Sequence, residues 1–481
     1  MAIDLANLID GEFVPAGDER VIAVLNPADG SLVGTVPSLS HADVARALDA
    51  AEVGARVWRA AGAIARGRVL MEAARLIRAD AAELSNVIVA EMGKTRAEAS
   101  GEVAKAAEFF EYYGGLARLP FGEIIPDGRP GTHVLQIREP LGVVVLITPW
   151  NDPLLTPARK LAPALLAGNS VVLKPATEAP LVALRLAELL HRAGVPAGVL
   201  GTATGRGTEV GSALLDDPRV RALSFTGSTS VGLNLQRRMA GRGVRVQTEM
   251  GGKNAAVVLA DADLDHAASV IVAGAFGQAG QRCTATSRLI VDHTVHDELM
   301  HRVASAVAGL RVGPGDEEGV DVGPVVSLTA RRSIEACVDR GLREGASLIA
   351  SAPVDPGLAD RGAFVPPMLL AIDRENSLWS DEVFGPVLGV LAVHGLDDAI
   401  IAVNDSAYGL SAAIFTSSLT AATRFVSEVD TGQVSVNQPT SGWDIHQAFG
   451  GFKDSGSPFK EQGLDALRFF TRVKTAAVRA L

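Results

Sequence analysis

Cysteine is nearly absent from this chain: 481 residues carry two, Cys283 and Cys337. Two thiols make no disulfide framework, and no Cys/His group has metal-ligand spacing. No metal is expected, and a reducing, cytoplasmic setting is. Long apolar runs are missing as well. The longest, residues 141–150, is about half the ~20 residues that a membrane-spanning helix needs. The first residues lack a basic stretch followed by an apolar core, so no signal peptide is expected there. No Lys/Arg cluster stands out and the formal net charge is −11, which argues against nucleic acid as a partner and suits solubility.

What is present is ordinary globular material, 48% hydrophobic and 21% charged, and long enough for two or three domains. Short strands and turns occupy residues 1–36. Ser40-His-Ala-Asp43 has the form of a capping box and predicts a helix after it. Alanine-rich segments at 66–92 and 97–118 predict helices, and the Gly/Pro-rich stretch 120–138 predicts an extended excursion. From 143 the pattern becomes strand and helix in alternation. Continuous β-branched runs at 143–148, 170–173, 199–203 and 220–225 read as strands buried on both faces. A helix over 178–192, capped by Thr177, and another from Ser228 separate them. That alternation predicts an α/β fold with a parallel sheet and ligands at the strands' carboxyl ends. A second α/β region follows Gly251, with strands near 255–259, 289–291 and 386–393 and helices near 263–276, 295–308 and 421–429. The tail, 469–478, is β-prone.

Three stretches carry chemistry. Gly277-Gln-Ala-Gly-Gln-Arg-Cys283-Thr-Ala-Thr-Ser-Arg288 surrounds a cysteine with small residues, so the sulfur is either a reachable nucleophile or a buried structural thiol. Gln247-Thr-Glu249-Met-Gly-Gly-Lys-Asn254 sets a carboxylate, a possible general base, against a glycine pair. Thr226-Gly227-Ser228-Thr-Ser-Val-Gly232 sits between strand and helix, as a pyrophosphate site or a plain tight turn. Cys337, on a helical repeat with Ile334, Val338 and Leu342, reads as a half-buried helix thiol.

The pairing of Glu249-Met-Gly-Gly-Lys-Asn254 with Gly280-Gln-Arg-Cys283 resembles the aldehyde dehydrogenase superfamily. Thr148-Pro-Trp-Asn151, Leu173-Lys-Pro175, Phe225-Thr-Gly-Ser228, Glu382-Val-Phe-Gly-Pro386 and Phe449-Gly-Gly-Phe-Lys453 stand in that family's order, over about residues 145–460. The resemblance implies an atypical Rossmann cofactor domain (1–117 and 141–250), an α/β catalytic domain (251–452) and a small β bridging region (118–140 and 453–481). The exposed strand edges of that bridging sheet would be a liability in a monomer, so a homodimer or homotetramer is expected. Cys283 would attack an aldehyde, Asn151 and the Cys283 N–H would form the oxyanion hole, and Glu249 would activate water against the thioester. Glu461 resembles a glutamate that helps relay protons. NAD or NADP would lie against Ile147, Thr148, Pro149, Trp150, Lys174, Thr177, Gly205, Phe225, Thr226, Gly227, Ser228, Val231, Met250, Gly251, Glu382 and Phe384. Thr177 takes the place of a glutamate common in NAD-preferring members, so both cofactors are expected. For substrate, Arg159 matches the arginine with which semialdehyde-oxidising members hold a remote carboxylate, and Trp443 would narrow the pocket. The second arginine of the succinic semialdehyde enzymes is Gly277 here. The contexts around Trp443 and Cys283 resemble the α-ketoglutaric semialdehyde branch. An aromatic aldehyde is the runner-up substrate. A cysteine esterase is the rival chemistry, and it leaves Lys174, Glu382 and the Gly227–Gly232 loop unexplained.

Overall fold

The apolar run after Gly142 becomes the strand Val143–Ile147, in the middle of a five-stranded, wholly parallel sheet. In this computed structural model, residues 3–15, 20–119 and 121–479 are described. Met1, Ala2, residues 16–19, Pro120, where the excursion was placed to begin, and the last two residues of the tail lie outside them. Sheet order is Leu200–Thr202, Ser170–Lys174, Val143–Ile147, Val220–Thr226, Arg245–Glu249. The order reverses between Val143–Ile147 and Val220–Thr226, so a crevice opens beyond their carboxyl ends. Thr148-Pro-Trp-Asn151 and Gly227-Ser228 follow those two ends.

Residues 250–253 carry the chain from Glu249 into a second sheet of seven strands. Its centre is Val387–Val393, Thr286–Asp292, Asn254–Val258 and Ser411–Phe415, paired parallel, and only the edge strand Ser347–Ser351 runs antiparallel. Each large sheet has its own apolar core: Leu146, Leu161 and Leu173 lie in one, Val257, Ile290 and Phe415 in the other. Arg288 ties the second together. Buried over the Trp379 ring, it donates to the carbonyls of Lys253, Ala402, Val403 and Asp405. Three of these lie at the carboxyl end of the helix Gly395–Asn404, whose last carbonyls have no partner within the helix.

The excursion and the tail pair as antiparallel strands, from Thr471 opposite Pro140 to Arg479 opposite Thr132, with Gly122–Ile125 on the outer edge. Residues 452–470 of the tail stay out of that sheet. Phe452–Lys453 pairs with Tyr408–Gly409, and Ala466, Leu467 and Phe469 of the helix Gly463–Phe469 sink into the first core.

Ser40 caps its helix as expected, in a full capping box with Asp43. Two helix readings need correcting. The segment 66–92 is two helices, Ala63–Ala79 and Ala81–Met92, parted at Asp80. Thr177 caps nothing: the helix starts at Leu181, because Pro180 keeps Ala179 out of helical geometry. Its first N–H groups, on Leu181 and Val182, are taken by the buried carboxylate of Glu91. Among the described residues no helix is long and apolar enough to cross a membrane.

Candidate active site

The helix Leu264–Phe276 ends in a turn where Gln278, Ala279 and Gly280 are all left-handed, with φ of 54°, 54° and 68°. Gly280 has to be glycine, since a Cβ there would stand 2.1 Å from the Gly385 carbonyl oxygen. Glu98 accepts the Gln278 N–H at 2.6 Å and Asp152 accepts its side-chain amide at 3.1 Å. Three residues on, the Cys283 carbonyl accepts from Asn254 Nδ2 at 2.7 Å, and that amide also reaches the Ala285 carbonyl at 2.8 Å. The backbone on both sides of the half-buried thiol is thereby fixed.

Cys283 stands where two cavities meet, and both are lined also by Asp152 and Arg159. The smaller, about 260 Å³, has Trp150, Thr226, Glu382 and Phe384 in its wall. The larger, about 560 Å³, has Phe109, Gln278, Trp443 and Phe449. Burial pushes the thiol up to about 12; Arg159 works against this, and Asp152, Glu249 and Glu382 add to it.

The smaller cavity has features that suit one end of a dinucleotide. Ser228 is the N-cap of the helix Thr229–Ala240 and makes no side-chain cap bond, so free N–H groups and the positive dipole end meet the crevice. Thr226 Oγ1 and Thr148 Oγ1 are buried without partners. Glu382 accepts the Gly252 N–H at 2.9 Å, and burial, opposed by that bond and by Lys253, raises its carboxyl to about 7. Phe384, at φ 53°, sets its ring edge-on to Trp150 at 5.4 Å.

Of the residues expected at the cofactor, the structure gathers Pro149, Trp150, Thr226, Gly227, Ser228, Met250, Gly251, Glu382 and Phe384 in this one wall, with Asn151 and Cys283. Ile147, Thr148, Lys174, Thr177, Gly205, Phe225 and Val231 do not line it. Phe225 and Met250 are packed under Gly227 and Gly232. Thr148 N–H donates to the Lys174 carbonyl at 3.1 Å, and Thr177 is half-buried. Gly205 packs on Val210 and Ser38, and Val231 is exposed. Lys174 is buried with only a 3.4 Å contact to the Pro175 carbonyl, and burial lowers its ammonium to about 8.

Asn151 donates its amide to the Gln281 carbonyl at 2.9 Å, on the strand of chain that leads to Cys283. Glu249 lines neither cavity. It turns instead into a buried cluster, accepting from Gln247 at 2.9 Å through Oε1, while Oε2 has no partner. Lys160 in the same cluster binds Glu461, and Ser224 at 2.7 Å. Burial first and Glu461 next hold the Glu249 carboxyl well above the usual range, against Lys160, Lys460 and Arg159. Arg159 is no surface arginine: its Nε is 3.1 Å from Glu461 and its guanidinium lies 5.1 Å over the Phe449 ring. Trp443 walls the larger cavity, and its indole N–H is buried without a partner.

Asp152, Gln278, Arg282 and Asn254 were not assigned from sequence. All four lie inside or beside the quoted motifs, and adjacency to Asn151 and Cys283 was the signal that could have found them.

The sequence profile of the aldehyde dehydrogenase family matches residues 13–476. The chain is 40% identical over 456 residues to the 2,5-dioxopentanoate dehydrogenase of Saccharolobus solfataricus, covering 94% of this chain and 95% of the relative. It is 41% identical to the alpha-ketoglutarate semialdehyde dehydrogenase of Haloferax volcanii, covering 98% of each. Among solved structures, betaine aldehyde dehydrogenase from Staphylococcus aureus in complex with NAD+ superposes with a TM-score of 0.96 at 31% identity, covering 98% of this chain and 94% of that one.

A thiol held near 12 is almost wholly protonated at neutral pH, and its thiolate fraction grows tenfold per pH unit. In the free protein, iodoacetamide labelling of Cys283, followed by peptide mass spectrometry, should therefore speed up with unit slope from pH 7 to roughly pH 10. A plateau near pH 8 would show a thiolate stabilised by something this geometry lacks.

Proposed function

The chain belongs to the aldehyde dehydrogenase family, and from that premise we propose that it oxidises an acid semialdehyde to the dicarboxylic acid. The observation that carries the reading is the thiol of Cys283 at the junction of two cavities, one with a helix N-terminus and one with aromatic walls. The thiolate of Cys283, its proton released to water, bonds through Sγ to the aldehyde carbon as the carbonyl π pair moves onto the oxygen. Asn151 Nδ2 and the Cys283 N–H donate to the oxygen as it gains charge. When bound, NAD or NADP supplies the acceptor for the hydride that leaves that carbon. Trp150, Thr226, Glu382 and Phe384 would hold the cofactor's near half, and Lys174 with Thr177, outside that cavity, its far ribose. Neither of these last two carries a negative charge to repel a 2′-phosphate.

Glu249 then serves the thioester. Its Oε2 is unpartnered, and to serve Cys283 the side chain would turn from the cluster and give up the Gln247 bond. Away from Glu461 its carboxyl ionises more readily. The carboxylate then takes a proton from water, the hydroxide adds to the thioester carbon, and the C–S bond breaks to free the acid and return the Cys283 thiolate. Arg159 and Trp443 line the substrate end. Two relatives named for 2,5-dioxopentanoate and α-ketoglutarate semialdehyde support a remote carboxylate.

The test is a panel of succinic, glutaric and α-ketoglutaric semialdehydes against hexanal, benzaldehyde and betaine aldehyde, each with NAD and with NADP. Acid semialdehydes should give the highest kcat/KM, and Cys283→Ala should be inactive with all of them. Better turnover of the neutral aldehydes would sink the semialdehyde reading. A preference for NAD above roughly a hundredfold, about 2.7 kcal/mol, would mean that another residue excludes the phosphate.

Glu249→Gln should keep a burst of one reduced cofactor per subunit and lose steady turnover by ~10²–10⁴-fold. Loss of the burst itself would place Glu249 at thiol activation instead.

The exposed edge of the three-stranded sheet, with Ile124 77% accessible, is a liability for a lone chain. A homodimer or homotetramer in the cytoplasm follows as part of the same proposal. Light scattering at micromolar concentration should give at least a dimer mass, and a monodisperse monomer would count against it.

A further inference from the structure

We infer that Arg282, the residue just before the thiol, grips the substrate's far carboxylate; this rests on the semialdehyde reading above. Three cationic side chains line the larger cavity: Lys105, Arg159 and Arg282. Two of them are already neutralised. Lys105 lies 3.0 Å from Glu108 and 3.2 Å from Asp444. Arg159 lies 3.1 Å from Glu461 and caps the Phe449 ring. The Arg282 guanidinium makes no hydrogen bond or ion pair among the described residues; only its carbonyl is engaged, accepting the Ala285 N–H at 3.0 Å.

The carboxylates in the same wall already have partners of their own, although the Arg282 charge, after Lys94, helps to lower the Asp152 carboxyl. Glu98 accepts the Thr95 N–H at 3.0 Å and the Gln278 N–H at 2.6 Å. Glu102 and Asp152 share the Lys94 ammonium, each at 2.6 Å. An arriving carboxylate therefore has one guanidinium to meet without breaking an existing pair. Arginine offers it two parallel N–H donors, which selects a planar carboxylate over a neutral end group.

Gly277 makes room for this. The Arg282 Nη1 and Cζ stand 3.5 and 3.8 Å from where a Cβ on residue 277 would be, so any longer side chain there would crowd the guanidinium. Position 277, lacking a side chain of its own, is thus covered by the guanidinium from position 282. Because neighbouring Cα atoms are about 3.8 Å apart, Cys283 and Arg282 can meet the two ends of one short chain. The substrate class this favours is a small aliphatic aldehyde ending in a carboxylate.

The experiment compares the native enzyme with Arg282→Gln, Arg282→Lys and Arg159→Gln, using glutaric semialdehyde and hexanal as substrates. A second readout is the Ki of glutarate as a competitive inhibitor of hexanal oxidation, and thermal midpoints check folding. Arg282→Gln should lower the acid-to-neutral ratio of kcat/KM by roughly 10- to 100-fold, through KM, and weaken glutarate by a similar factor. Arg282→Lys should recover part of both. If the native enzyme itself prefers hexanal, the semialdehyde reading falls and takes this inference with it. If the native enzyme prefers the acid, but Arg282→Gln keeps both the ratio and the glutarate Ki while Arg159→Gln loses them, this inference alone is overturned. An equal loss for both substrates in Arg282→Gln would also overturn it, placing the arginine in support of the thiol.

Discussion

Lys94 donates from one fully enclosed ammonium to Glu102 Oε2 and to Asp152 Oδ1, each at 2.6 Å. Through these two carboxylates it reaches every part of the site that must be held still. The other oxygen of Glu102 takes the N–H groups of Leu154 and Leu155, at the start of the helix that carries Arg159 and Lys160. Asp152 follows Asn151 directly and also receives the Gln278 amide, from the turn that leads to Cys283. Burial alone would raise the Asp152 carboxyl, but the ammonium brings it down to about 2. Ions this deep are held by one another. Taking away the shared cation would leave two carboxylates enclosed without it, and breaking such a buried pair costs about 3–5 kcal/mol.

Behind the site a second group of charges has the opposite temper. Lys160 and Arg159 both lean on Glu461, which leaves Glu249 beside a carboxylate that already has its cations. Burial and that neighbour hold the Glu249 carboxyl well above the usual range, while the Lys94 ammonium keeps Asp152, on the front side, ionised. Two carboxyls whose surroundings push them apart in this way suit different tasks. The ionised one accepts and positions; the one that holds its proton more tightly is placed to exchange it when its surroundings change.

The parts of this arrangement that were legible in the sequence are those written in contiguous strings. Cys283, Glu249, Asn151 and the Gly227-Ser228 turn each sit in a motif whose local geometry follows from its own residues, and the strand runs at 143 and 170 are apolar because both faces are covered. Lys94, Glu98 and Glu102 were not legible. They come from some fifty residues before Asn151, Lys94 from the loop ahead of the alanine-rich helix Arg96–Gly115 and the two glutamates from its first turns, and acquire their part only when that helix docks. Helix starts failed for a related reason. Thr177 has a capping side chain, yet Glu91, distant in sequence, supplies the cap at Leu181 instead. The tail was read as one β-prone piece, but Leu467 and Phe469 were drawn into the core by packing that no period announces.

The turn before the thiol shows how the two cavities are made to act together. Gln278 and Ala279 hold left-handed backbone, as does Phe384 across the crevice, at a cost of order 1–3 kcal/mol each. Glu98 and Asp152 offset the cost at Gln278 by binding its N–H and its side chain. Gly280 then approaches the Gly385 carbonyl more closely than any residue with a Cβ could. That contact presses the thiol's turn against the loop that bears Glu382 and Phe384. A shift of that loop to admit a cofactor must therefore move the backbone three residues ahead of Cys283, or be resisted by it. The sulfur and the ring of Phe384 are thus carried on two backbone segments that meet at the glycine pair 280 and 385.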